Sequence, residues 1–200
     1  MKAALARVDT RNLILDATDR LLARYGYKKM SMEDLAREVG IGKGTIYLYF
    51  SSKEEVALAR IDRVIDRLRD RLRTIARSDA PPAERLRRML IERVMYRFDS
   101  VQHYTESLNA VMAAIRPSLL ERRKSHFADE AQIFAGVLKS GKSLGAFTFK
   151  DPRATAEAML LATTSLLPYS LSVKELGERD EVEAKVTRIA NLLLNGIVRS

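Results

Sequence analysis

The chain has 200 residues, and its 35 lysines and arginines outnumber its 26 aspartates and glutamates, which gives a formal net charge of +9. Because it contains no cysteine, disulfides, thiolate nucleophiles and cysteine-based metal centres are excluded. An apolar share of 46% is typical of a folded globular protein. The first residues lack the apolar core of a signal peptide, and the most apolar stretch, 156–171, is too short and polar to span a bilayer. We therefore expect a cytoplasmic protein with no membrane partner.

The positive charge is unevenly distributed. Residues 1–125 carry the whole excess, whereas residues 126–200 hold equal numbers of acidic and basic side chains. A basic part joined to a neutral part favours a polyanionic partner at one end of the molecule.

Helical periodicity interrupted by proline and glycine runs through the whole chain, which predicts an all-α protein. Ser31 and Ser52 each stand three positions before an acidic residue, as in a capping box, and Gly26 and Gly40 can adopt the positive φ that ends a helix. Four helices are predicted in the N-terminal part, from Asp9 or Thr10 to about Tyr25, from Ser31 to Gly40, over 43–49 and from Ser52 to Asp79. Three more are predicted over 83–99, over 104–115 and from Arg116-Pro117 to about Lys139. The last two run from Asp151-Pro152 to about Val173, with a kink at Pro168, and over 180–198. Residues 140–150 are expected to form a loop.

Residues 31–50 show the pattern of a helix-turn-helix. Leu35 and Ala36 provide an apolar face with a small residue where a second helix can approach, and Gly40 allows a tight turn. Ile41 and Ile46 return to the core from the other side of that turn. This pattern predicts a recognition helix that docks in the major groove of DNA.

The remaining side chains of the second helix are expected to face outward, and they are Lys43, Gly44, Thr45, Tyr47 and Tyr49. Lys43 and Gly44 lie at the helix start, where backbone N–H groups favour phosphate. Thr45 offers a hydroxyl and a methyl group to base edges, and the two tyrosines offer rings and phenolic donors to the sugar–phosphate backbone.

The segment from Arg11 to about Val56 resembles the DNA-binding domain of the TetR family of transcriptional regulators. The matching elements are Ile14-Leu15, Ala17, Gly26-Tyr27, Leu35-Ala36, Gly40, Lys43-Gly-Thr-Ile-Tyr47, Phe50 and Ser52-Lys53-Glu54. Met30, Gly42 and Leu48 depart from the residues usual in the family. The resemblance implies a helix-turn-helix domain over 1–52 and a helical ligand-binding and dimerisation domain over 53–200.

The same resemblance implies roles for further residues. Ser31 and Lys53 match phosphate contacts of the family, and the last two helices match those that pair with a second copy to form a four-helix dimer interface. The residues expected there are Ala158, Ala162, Ser165, Val182, Val186, Ile189, Leu193 and Ile197. The implied function is a homodimeric repressor that leaves its operator when a small molecule binds. A ligand-independent regulator, an activator and a helical scaffold with a vestigial DNA domain are the alternatives.

A ligand pocket is expected to be lined by apolar and aromatic residues of the C-terminal part. The candidates are Met95, Phe98, His103, Tyr104, Met112, Phe134, Met159 and Tyr169. Residues 136–143 match the P-loop pattern, so a nucleotide-binding protein is a further alternative, but helical sequence precedes them where a strand is required. His103 and His126 are the only histidines and are too far apart in sequence to suggest a metal site. We expect no cofactor, metal or catalytic site, and therefore a binding protein rather than an enzyme.

Overall fold

The computed structural model describes residues 2–101, 108–167 and 177–197, with side chains described from residue 9 in the first range and from residue 111 in the second. In these ranges the regular structure consists of α-helices and one 3-10 turn, Thr164–Leu166, which confirms the predicted all-α class. The helices are α1 (Lys2–Lys29), α2 (Met32–Val39), α3 (Lys43–Tyr47), α4 (Lys53–Ala76), α5 (Pro82–Asp99), α6 (Leu108–Ser143), α7 (Pro152–Ala162) and α8 (Arg179–Asn195).

The capping signals of the N-terminal helices are confirmed. The Ser31 hydroxyl accepts a hydrogen bond from the backbone N–H of Asp34 at 3.1 Å, and the Asp34 carboxylate accepts one from the N–H of Ser31 at 3.1 Å, which completes a capping box. Gly40 ends α2 with a φ of 77°, and Gly26 interrupts α1 with a φ of 71°. At both glycines a side chain would oppose the positive φ that the turn requires.

Two predicted helix ends within this part of the chain are wrong. The first helix begins at Lys2 instead of at a cap at Asp9 or Thr10, because the alanines, leucine and arginine before Asp9 are strong helix formers. Pro117 lies inside α6 instead of starting a new helix. Its ring removes one helical hydrogen bond to the carbonyl of Ala113, and that residue is exposed, so water can satisfy the carbonyl.

The C-terminal helices differ from their predicted lengths as well. The α6 helix continues to Ser143 through the expected loop, and α7 ends at Ala162 instead of near Val173. The hydroxyls of Thr163 and Thr164 donate to the carbonyl of Leu160 at 3.2 and 2.9 Å, and they thereby compete for a helical acceptor.

The chain folds into two compact units, Met1–Arg63 with His103–Leu120 and Val64–Gln102 with Glu121–Ser200. The N-terminal unit extends past the predicted boundary between residues 52 and 53, because the first turns of α4 bury Val56 in the N-terminal core and α6 adds Val111 and Ile115 to that core. Residues far apart in sequence therefore complete the N-terminal unit.

Charged contacts between α1 and α4 stabilise the N-terminal unit. The Arg63 guanidinium pairs with Asp16 at 2.6 Å and with Asp19 at 2.9 Å, and Arg60 also pairs with Asp19. Both arginines are largely buried, which distinguishes these pairs from solvated surface pairs. Arg60 and Arg63 thus hold α4 against α1.

The C-terminal unit is a bundle in which α5 packs on α8. Its core contains residues from α4 to α8, among them Leu68, Leu72, Leu86, Met89, Leu90, Phe134, Leu138, Met159, Leu160, Ala190 and Leu194. Gly141 of α6 faces the ring of Phe147, and a Cβ there would overlap that ring and lie 2.9 Å from the Cβ of Pro82. The glycine therefore allows α6, the following turn and the start of α5 to approach closely.

Candidate nucleic-acid interface

The helix-turn-helix is anchored by one side of α3. The side chain of Ile46 is wholly buried in a core shared with Leu35, Ala36 and Phe50, as its position in the sequence predicts. The α2 helix packs against both α1 and α3. This anchoring leaves the other side of α3 on the surface of the N-terminal unit.

The exposed side of α3 carries four of the predicted DNA-contacting residues. Lys43 and Gly44 are exposed, Tyr47 is 47% exposed and Thr45 is half-buried. Leu48 follows α3 and is 72% exposed, which is unusual for a leucine beside a core residue. A lysine, a hydroxyl, a phenol and an apolar group thus share a small surface, and together they can contact phosphate, base edges and thymine methyl groups.

Lys43 has an acidic neighbour on α2. Its ammonium lies 3.7 Å from a carboxylate oxygen of Glu33, and both side chains are exposed. Exposed pairs of this kind contribute about 0–1 kcal/mol, so a phosphate can replace the carboxylate at little cost. The pair therefore leaves Lys43 able to bind DNA.

Three other predicted contacts are partly occupied within the protein. The hydroxyl of Ser31 serves the α2 cap while the residue stays exposed. Tyr49 is half-buried and packs on the N-terminal core, so its predicted outward orientation holds only in part. The ammonium of Lys53 donates to the carbonyl of Tyr27 at 3.1 Å and lies 4.4 Å from its ring centroid.

Tyr27 connects the end of α1 to the start of α4. Its hydroxyl donates to a Glu54 oxygen at 3.1 Å. Burial, together with the Glu54 charge and this hydrogen bond, raises the pKa of Tyr27 to about 12, so the phenol stays neutral at physiological pH. With Lys53 over the same ring, this contact fixes the first turn of α4 relative to the helix-turn-helix.

Comparison with known sequences decides the family. Residues 14–59 match the profile described as bacterial regulatory proteins of the tetR family, and residues 82–190 match the tetracyclin repressor-like C-terminal domain. The chain belongs to the TetR family. As in other members, a helix-turn-helix unit is joined to a larger helical domain, and the class of protein is that of a DNA-binding transcriptional regulator.

Several relatives carry the same description. The chain is 49% identical over 51 residues to an HTH-type regulator of Haemophilus influenzae, a match that covers 26% of this chain and 27% of the relative. It is 23% identical over 163 residues to YhgD of Bacillus subtilis, covering 80% and 83% of the two chains. The matches to individual curated relatives thus range from about a quarter of the relative to most of it.

Solved structures show the same fold. A transcriptional regulator from Cytophaga hutchinsonii superposes with a TM-score of 0.77 at 22% identity, covering 94% of this chain and 98% of that one. The structure described as a SmeT–triclosan complex superposes with a TM-score of 0.68 at 20% identity, covering 96% and 93%. The two-domain helical architecture is therefore that of TetR regulators.

The predicted dimer residues divide into three groups by their exposure. Ala158, Ala162 and Ser165 are exposed, as the prediction requires. Val182 and Val186 are wholly buried within their own subunit and cannot form a dimer surface, so the prediction is wrong for these two. They repeat with Ala190 and Leu194 every four residues along the face of α8 that is buried in the subunit, and Ile189, Leu193 and Ile197 are half-buried beside that face.

The surface that these two helices leave open includes leucines that the prediction missed. Leu161 is 61% exposed on α7, and Leu192 is 73% exposed on α8. Because the inner stripe of α8 is already buried in the subunit, only a further partner could cover these leucines. Each of these two leucines is adjacent in sequence to a predicted dimer residue, and this apolar neighbour is the sequence signal that could have revealed it.

The described members of the predicted ligand pocket lie in two different units. Met95, Phe98, Phe134 and Met159 are buried in the C-terminal unit, whereas Met112 belongs to the N-terminal one and cannot be grouped with them. His103, Tyr104 and Tyr169 lie outside the described residues. The P-loop-like residues 136–143 lie on α6, and Lys142 donates to the carbonyl of Phe149 at 2.8 Å, so a helix stands where a phosphate loop would be needed.

Among the described residues, no group of three or more histidine, aspartate or glutamate side chains is arranged to hold a metal ion. Within the same residues, no helix has the length and apolar character needed to cross a membrane.

Sequence reasoning missed a buried ionic cluster in the C-terminal unit. Arg93, Arg97 and Glu130 are each less than a tenth exposed, and both arginines pair with the carboxylate of Glu130. On α5 the two arginines continue the apolar repeat that includes Leu86 and Met89. A charged residue at a position that helical periodicity assigns to the core was the available signal.

Proposed function

We propose that the protein binds double-stranded operator DNA as a homodimer and represses transcription until a small molecule binds its C-terminal domain. The observation that carries this proposal is the outer side of α3, where Lys43, Gly44, Thr45 and Tyr47 are presented by a helix anchored through Ile46. Ser31, Tyr49 and Lys53 are proposed as supporting phosphate contacts at its edges. Regulation of this kind takes place in the cytoplasm.

The exposed side of α7 and α8 supports dimerisation. Leu161 and the small residues Ala158, Ala162 and Ser165 are exposed at α7, Leu192 is exposed on α8, and a second copy can cover them. Small residues let helices approach closely, and one patch repeated on two subunits satisfies a twofold axis. Two recognition helices about 34 Å apart then read two half-sites one turn of DNA apart.

The continuity of α4 supports coupling between effector and DNA. Its first turns belong to the N-terminal unit, where Arg60 and Arg63 pair with α1, and its remaining turns belong to the C-terminal unit. A ligand that favours one arrangement of the C-terminal bundle can shift α4 and hence the recognition helix. The SmeT–triclosan complex supports a small organic molecule as the kind of effector.

The proposal is tested by selecting bound fragments from random double-stranded DNA with the full-length protein. We expect a two-half-site sequence whose affinity falls steeply with salt, with a log–log slope of about −0.9 for each phosphate neutralised. The matched variants are Tyr47→Ala, which removes a proposed contact, and Tyr25→Ala, which removes an exposed tyrosine of α1 outside the proposed interface.

Loss of specific binding in Tyr47→Ala alone supports the assignment. A selection that returns no sequence, or an affinity that is flat between low and physiological salt, would contradict it. Adding candidate effectors to the selected complex then tests release, and a complex that persists with all of them argues for the ligand-independent form of the regulator.

A further inference from the structure

In the buried cluster of α5 and α6, two arginines pair with one glutamate among the described residues. Both oxygens of Glu130 are used, because one accepts from Arg93 Nε at 2.8 Å and the other accepts from Arg97 Nη2. Burial alone would raise the pKa of Glu130, but the two guanidiniums lower it below its ordinary value, so the carboxylate is charged. The Glu130 carboxylate thus pairs with both guanidiniums.

The two arginines are not equivalent. Arg93 also donates to the hydroxyl of Thr163 at 2.8 Å and to the carbonyl of Leu160 at 3.2 Å, which joins α5 to α7. Arg97 donates to the carbonyl of Arg93 at 3.0 Å within its own helix. Its Nε is buried and has no hydrogen-bond partner among the described residues. A buried donor on a charged group that lacks an acceptor is costly, and such a site favours an anion.

Apolar residues stand one helical turn from Glu130 and from Thr163, the hydroxyl contact of Arg93. Phe134 follows Glu130 by four residues on α6, and Met159 precedes Thr163 by four residues at the end of α7. Both are buried in the core of the C-terminal unit. Charged and apolar groups thus adjoin inside one bundle, which suits a molecule with one anionic group on an apolar body.

We infer that the effector of this regulator is an amphipathic organic acid whose carboxylate is bound by Arg97 at the Arg93–Glu130–Arg97 cluster. The inference rests on the proposed function for the role of effector, but the binding site stands on the geometry of the cluster. Arg97 Nε supplies a charge-assisted hydrogen bond, and Arg93 and Glu130 hold the Arg97 guanidinium in place. Arg97 is the residue that selects an acid over a neutral molecule of the same shape.

The first experiment needs no ligand. Arg97→Met removes the charge with the unsatisfied donor and leaves Arg93 paired with Glu130, but it also takes the donor from one Glu130 oxygen, so the Tm of the full chain should fall less than in Arg93→Met. Arg93→Met removes the contacts to Leu160 and Thr163 as well, and its Tm should fall. An Arg97→Met protein whose Tm falls as far as that of Arg93→Met would show that Arg97 is purely structural and would overturn the inference.

The second experiment uses two matched pairs of probes, decanoate with 1-decanol and benzoate with benzyl alcohol, titrated calorimetrically into the wild-type protein. At least one acid should bind, and more tightly than its alcohol. Arg97→Met should weaken that acid by about 10- to 100-fold, the range expected for one charge-assisted hydrogen bond, and should leave the alcohol unaffected. Arg88→Met, which removes an exposed arginine of the same helix, is the control and should bind like the wild type.

Equal binding of acids and alcohols, no binding of either acid, or an acid affinity that survives Arg97→Met would each overturn the inference. Failure of this inference can be distinguished from failure of the proposed function, because acid binding and DNA release are measured separately. Adding the bound acid to the protein–operator complex tests release separately. An acid that binds through Arg97 but does not release DNA leaves the anion site in place and removes its role as effector.

Discussion

Gly141 and Gly136 lie five residues apart on α6 and should respond in opposite ways to alanine. A Cβ at Gly136 meets no atom within 4 Å, so Gly136→Ala should gain the helix propensity of alanine, about 1 kcal/mol. A Cβ at Gly141 would overlap the buried ring of Phe147 and crowd Pro82. Displacing a packed ring costs about 1–3 kcal/mol. In Gly141→Ala this cost equals or exceeds the gain in helix propensity that alanine brings.

The two variants should therefore differ by about 1–3 kcal/mol, or roughly 2–12 °C in Tm for a chain of this size. Thermal unfolding followed by far-ultraviolet circular dichroism measures the difference. In the double variant Gly141→Ala/Phe147→Ala the methyl group enters the space of the ring, so the two changes should be less than additive. Equal Tm values for Gly136→Ala and Gly141→Ala would refute this reasoning.

The same proteins test the P-loop alternative. If the glycine at 141 serves close packing, adding ATP with Mg²⁺ should leave the Tm of the wild type unchanged. An ATP-dependent rise in Tm that disappears in Gly141→Ala would instead assign this segment to phosphate binding.

Three further outcomes are expected. Tyr47→Ala should keep the wild-type Tm and lower operator affinity by about 1–3 kcal/mol, measured by fluorescence anisotropy, and a lowered Tm would place Tyr47 in the core. Leu192→Glu should give a folded monomer in sedimentation velocity, because a carboxylate is costly to bury in an interface, and a variant that remains dimeric would place the interface elsewhere. Glu130→Gln should lower the free energy of unfolding by about 3–5 kcal/mol, since Arg93 and Arg97 lose their shared carboxylate. Because the pKa of Glu130 is lowered in the folded protein, wild-type stability should fall as acid titrates this group, and the urea midpoint of Glu130→Gln should lack that part of the pH dependence.

The sequence alone determined the helix-turn-helix and its start and stop signals. The capping box at Ser31, the positive φ of Gly40 and the burial of Ile46 all follow from interactions within a few residues. Local backbone and capping preferences act at short range, so they can be deduced from spacing. The outward position of Tyr47 follows from the burial of Ile46, because adjacent helical residues point in different directions.

Tertiary structure decided which of several apolar faces each C-terminal helix buries. The α8 sequence offers one stripe through Val186 and another through Leu193, and only the packing of α5 against α8 assigned Val186 to the subunit core. It also kept α6 helical through Pro117 and placed Arg97 beside Glu130 across two helices. These outcomes depend on contacts between residues distant in sequence, whose free energies outweigh local preferences and leave no signal in the spacing of one helix.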